Sequence, residues 1–87
     1  MSDDALARLR AEIAERDVRI LETVNERLRL VAELKAHKQR EGMAFVDAAQ
    51  EERVLERLVA ANTGPLSDEA VRTLFTEILA LTKRELD

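Results

Sequence analysis

No glycine or proline occurs before Gly42, and in that stretch Leu6, Leu9, Ile13, Ile20, Val24, Leu28, Val31 and Leu34 recur at intervals of three, four or seven. Such spacing writes one unbroken apolar stripe along an α-helix. The helix-breaking residues of the whole chain are Gly42, Gly64 and Pro65, which divide its 87 residues into three segments. The first helix is predicted over about residues 3–40, opening among Ser2, Asp3 and Asp4, which suit a cap and a positive helix end. The second is predicted over about 48–62, with Asp47 as N-cap, Gln50 three residues on and Val54, Leu55, Leu58 and Val59 on its apolar face. The third, about 67–86, opens at Ser67 with Asp68 and Glu69 in its first turn and carries Val71, Leu74, Phe75, Ile78, Leu79 and Leu86. The chain reads as one all-α domain over 1–87.

The length of the first helix sets the assembly. At 1.5 Å per residue, roughly 36 residues make a rod of about 54 Å. A compact monomer of this size has a radius of gyration of about 12 Å and a diameter of roughly 30 Å, so part of the apolar stripe would face water. A second copy laying its own long helix alongside removes the conflict. The expectation is an intertwined two-fold homodimer, three helices per chain, forming a six-helix bundle.

Composition narrows the function. Hydrophobic residues make up 46% of the chain and charged ones 37%, a balance that suits amphipathic helices and excludes a disordered chain. There is no Cys, so no disulfide or thiolate–metal framework, and the single His, His37, has no second His to form a metal site and reads as a solvated helix-end residue. A net charge of −4 without Trp or Tyr argues against a nucleic-acid surface. No apolar run reaches the roughly 20 residues of a membrane span, and the acidic start, Met1-Ser2-Asp3-Asp4, is unlike a signal peptide, so the expected place is the cytoplasm. Neither a Gly-rich phosphate loop nor a Ser-His-Asp set is present, and no cofactor is called for.

An anionic ligand would need a local cationic pocket, and one is available. Arg27 and Lys38 stand eleven residues apart, close to three turns, on nearly one face of the first helix and about 16 Å apart along its axis, with Val31 and Leu34 between them. They either snorkel over a core stripe or frame a small anion at both ends of a dry centre. Asp47 and Glu51, four apart, share a face and could accept hydrogen bonds from a hydroxyl, although Asp47 has an ordinary role as a cap. Arg10 and Asp17, seven apart, form either a plain ion pair or part of a site.

The ordered set Leu9-Arg10-x-x-Ile13-x-x-x-Asp17, Asn25-Glu26-Arg27, Lys38, Asp47, Glu51 and Val54-Leu55-Glu56-Arg57-Leu58 resembles the all-helical chorismate mutases nearly end to end. The stretch from Asn62 to Ser67, followed by Leu74-Phe75-Thr76-Glu77-Ile78, looks like versions fused to, or partnered with, the first enzyme of the shikimate pathway, a candidate partner here. The resemblance implies an intertwined homodimer with two sites that rearrange chorismate to prephenate on the route to phenylalanine and tyrosine. It further implies that Arg27 binds one carboxylate, Arg10 from the partner chain binds the other, and Lys38 donates to the ether oxygen. Asp47 and Glu51 would address the ring hydroxyl, Thr82 would line the pocket, and Val31, Leu34, Leu55, Ile78 and Leu79 would form its apolar wall.

Two positions depart from that pattern. Gln50 stands where many relatives carry an Arg, and Leu86 where many carry a Gln or Glu that donates a second hydrogen bond to the ether oxygen. Leucine cannot donate, so the resemblance implies a slow enzyme, with a last turn prone to fray until a partner orders it. Isochorismate pyruvate-lyase activity, a mutase acting on the amino analogue of chorismate, and a non-catalytic dimerisation module that binds a metabolite of the pathway are the other functions these residues allow.

Overall fold

A computed structural model describes residues 3–87; Ser2, a candidate cap of the first helix, lies outside them. The architecture is all-α: α1 spans Asp3–Arg40, α2 Ala48–Ala61 and α3 Asp68–Glu85. Among the described residues no helix is long and apolar enough to cross a membrane. The chain divides into two compact units, one ending at Glu33 and the other running Leu34–Asp87.

The first unit is helix along its described length. Its charged residues make short-range pairs, Arg8 with Glu12 at 3.4 Å and Arg19 with Glu15 at 2.8 Å, each a turn apart and exposed. Such pairs add a few tenths of a kcal/mol to a helix. Several of its apolar side chains face water, with Ile13 and Ile20 each 61% exposed, while Val24, Leu28 and Val31 are half-buried. No residue of α1 is buried anywhere along its 38 residues.

The second unit begins with the last turns of α1. Gly42 adopts φ +70°, the left-handed conformation that only glycine takes without strain. Its N–H donates to the Gln39 carbonyl at 3.2 Å and the Met43 N–H to the Lys38 carbonyl at 2.8 Å, the paired bonds of a Schellman motif. Asp47 then caps α2, its carboxylate accepting from the Gln50 N–H at 3.1 Å. The Gln50 side chain does not reach back to complete a capping box and instead accepts from Arg53 Nε at 3.0 Å.

Asn62 ends α2 and shapes the following turn. Its Nδ2 donates to the Leu66 carbonyl at 2.7 Å and its Oδ1 accepts from the Gly64 N–H at 3.2 Å. Helices α2 and α3 pack on each other, and Val54, Leu55, Leu58 and Val59 of α2 and Phe75, Ile78 and Leu79 of α3 are half-buried. Among the described residues Val71 is the one buried apolar residue. Arg72 and Glu52 bridge the two helices at 3.1 Å. Ser67 opens α3, its hydroxyl accepting from the Ala70 N–H at 3.0 Å. Alanine at Ser67 removes that partner and is expected to cost about 1 kcal/mol, read as a lower denaturant midpoint at fixed protein concentration with an unchanged m-value.

Candidate active site

Of the residues singled out in the sequence, Arg10, Arg27 and Val31 lie in the first unit. Arg10 is exposed, while Arg27 and Val31 are half-buried. No ion pair joins Arg10 to Asp17 among the described residues; the local pairs are those of Glu12 and Glu15 with neighbouring arginines.

The rest of the set lies in the second unit. Lys38 is half-buried, and its Nζ donates to the Phe45 carbonyl at 3.3 Å. The Schellman turn makes this contact, because reversing the chain at Gly42 returns the loop to the side chain of the last helical lysine. One turn earlier, Lys35 places its ammonium 5.3 Å from the centre of the Phe45 ring and donates to the Leu86 carbonyl. Lys35 thus ties together the end of α1, the connecting loop and the end of α3.

Glu51 is half-buried, and its Oε1 stands 3.0 Å from Lys83 Nζ, so a carboxylate of α2 meets a cation of α3. Asp47 is exposed and spends one carboxylate oxygen on its cap. Thr82 is buried, with its hydroxyl donating to the Ile78 carbonyl at 2.8 Å. Leu55, Ile78, Leu79 and Leu86 are half-buried, whereas Leu34 is 47% exposed. At the end of α3 the Leu86 N–H donates to the Thr82 carbonyl at 3.1 Å, and the Leu86 carbonyl accepts from Lys35.

A cavity of about 270 Å³ is lined by Lys35, Phe45, Val46, Lys83, Arg84 and Asp87, three cations and one carboxylate around an aromatic ring. A second, of about 590 Å³ at the start of α3, includes none of the candidate residues. His37 is exposed, and no group of three or more His, Asp or Glu among the described residues is arranged to hold a metal ion.

The half-buried ammonium groups, the single half-buried carboxylate and the aliphatic surroundings make an environment for a small polyanion that also carries a hydrogen-bond donor. The model of the family described as chorismate mutase type II matches residues 9–85. The chain belongs to this family. Two solved structures of chorismate mutase from Thermus thermophilus superpose on it. Form II does so with a TM-score of 0.88 at 35% identity, over 92% of this chain and 91% of that one. Form I gives 0.87 at 36% identity, over 90% and 98% respectively. A bifunctional chorismate mutase/prephenate dehydratase of Pseudomonas aeruginosa is 38% identical over 82 residues. That stretch is 88% of this chain but 22% of the larger enzyme. The family match takes in Arg10, Arg27, Lys38, Asp47, Glu51 and Thr82 and stops one residue short of Leu86.

Sequence reasoning missed Lys35, Phe45 and Lys83. Lys83 looks like an ordinary basic residue in the last turn of a helix, where the dipole favours one. Its partner is known only once α2 and α3 are packed. Phe45 did carry a signal, being one of two aromatic residues in the chain and standing in a connecting loop.

Proposed function

We propose that the chain is a chorismate mutase, catalysing the Claisen rearrangement of chorismate to prephenate, and that it works as a homodimer. The observation that carries this reading is a likeness in both sequence and fold to chorismate mutases of Thermus thermophilus over more than nine-tenths of their length.

The reaction is intramolecular. The ether carbon–oxygen bond breaks as a carbon–carbon bond forms between the enolpyruvyl arm and the ring, with electron pairs moving round a six-membered array and no proton transferred. Neither nucleophile nor acid–base pair is required, and the protein's tasks are positioning and electrostatic stabilisation. In this proposal Arg27 holds one carboxylate and Arg10 of the second chain the other, which folds the enolpyruvyl arm over the ring. Lys38 faces the ether oxygen, where negative charge grows as the bond stretches. Its ammonium is held beforehand on the Phe45 carbonyl, so little reorganisation is needed. Glu51 accepts from the ring hydroxyl, with Asp47 beside it. Thr82, Val31, Leu34, Leu55, Ile78 and Leu79 enclose the substrate, and Leu86 closes the side where a donor is missing.

The exposed face of α1 supports the dimer. Ile13, Ile20 and Leu30 are 61%, 61% and 65% exposed on a helix with no buried residue. A stripe of that extent is what a partner helix covers. The test is to incubate the protein with chorismate, follow the loss of its ultraviolet absorbance and convert the product with acid to phenylpyruvate, while sedimentation measures the particle mass. Prephenate formation by a particle of twice the 9.9 kDa chain mass is the expected result. No turnover by a folded dimer would overturn the mutase reading, and salicylate with pyruvate from isochorismate would replace it with a lyase.

A further inference from the structure

We propose that Lys83 shifts the selectivity of the site for its ring substituent, away from an ammonium and toward a hydroxyl. The inference rests on the reading above, in which Glu51 faces that substituent. Glu51 Oε1 and Lys83 Nζ are 3.0 Å apart, with side chains 30% and 41% exposed. At such exposure an ion pair adds little to stability. The apolar faces of α2 and α3 already hold those helices together, so the main consequence of the pair is local and electrostatic.

An unpaired half-buried carboxylate is a cation site. Any ammonium group brought beside it is attracted as strongly as a hydroxyl, or more so. Pairing with Lys83 weakens that preference. One oxygen is taken by the lysine and the other still accepts a hydrogen bond, but the pair as a whole carries no net charge. A hydroxyl donor fits this arrangement at no electrostatic cost. An ammonium in the same place would lie about 5–6 Å from the Lys83 charge, and that repulsion offsets part of its attraction to Glu51, weakening its binding by about tenfold to a hundredfold relative to a site whose carboxylate is unpaired.

Lys83 is therefore a specificity-determining residue acting through Glu51, and the substrate class it favours is a cyclohexadienyl enol ether bearing a neutral hydroxyl.

The experiment compares kcat/KM for chorismate and for its 4-amino-4-deoxy analogue in the unaltered protein, in Lys83→Met and in Lys83→Arg. If the analogue is not turned over, its inhibition constant against chorismate takes the place of its kcat/KM. The ratio between the two compounds is the readout, because a variant that folds poorly lowers both values alike. Lys83→Met is expected to move the ratio toward the amine by tenfold or more, and Lys83→Arg to keep it within about threefold of the starting protein. An unchanged ratio in Lys83→Met, with chorismate still rearranged by the unaltered protein, overturns this inference alone. Failure of the unaltered protein to rearrange chorismate overturns the assigned reaction and the inference with it.

Discussion

Methionine in place of Lys38 is expected to lower kcat for chorismate by at least about a hundredfold while KM stays within a few-fold, because the lost interaction belongs to the transition state. Methionine keeps the length and packing of the aliphatic stem and removes only the ammonium. In the ground state the ether oxygen is a weak acceptor; as the bond breaks it gathers negative charge, and a fixed cation in a half-buried setting then matters most. The Phe45 carbonyl at 3.3 Å loses its lysine donor in the variant, but the loop keeps the two backbone bonds of the Schellman turn at Gly42 and Met43. Arg27→Ala should behave differently. A guanidinium that clamps a carboxylate binds substrate and transition state alike, so much of its loss appears in KM. Steady-state kinetics on both variants, with circular dichroism to confirm retained helix, separates the two roles. A Lys38→Met enzyme whose kcat falls less than threefold would remove Lys38 from the chemistry.

The opposite change is expected at Leu86, where glutamine should raise kcat by about tenfold to a hundredfold. A single preorganised donor to a developing oxyanion is worth about 3 kcal/mol in enzymes where it has been removed, and in this proposal the site lacks one. Leu86 is the C-cap of α3, and its backbone is already engaged: the N–H with the Thr82 carbonyl at 3.1 Å and the carbonyl with Lys35. Those bonds do not depend on the side chain. Glutamine is close to leucine in volume, and the helix end therefore has no reason to move. The amide would be half-buried, and in the free enzyme an incompletely paired amide costs about 1–3 kcal/mol, so a lower Tm should accompany the faster rate. Measuring kcat and Tm together tests both parts. An unchanged kcat would mean that the Leu86 side chain does not face the ether oxygen.

Much of the fold was legible because its signals are local. Helix periodicity, the left-handed glycine at 42 and the caps at Asp47 and Ser67 each act within a few residues, and the three helices run between them. The long apolar stripe of α1 was legible for the same reason, and its Leu6, Leu9, Ile13, Ile20 and Leu34 are exposed. The candidate cations Arg27 and Lys38 could be named because both stand on one helix, where spacing alone sets direction.

Partnerships between helices were not legible. With 14 lysines and arginines against 18 aspartates and glutamates, the sequence offers many pairings of similar merit. Glu51 stood without an assigned partner and Lys83 without a task until the packing of α2 on α3 brought them to 3.0 Å. The tie from Lys35 to Phe45 and Leu86, whose far end is 51 residues away, likewise depends on where the chain returns. The sequence by itself determined where the helices start and stop and which face of each carries its apolar stripe, since those follow from interactions within one or two turns. Only the tertiary structure decided which charge neutralises which, because a Coulomb pair forms where two elements meet, at distances the chain's own spacing does not set.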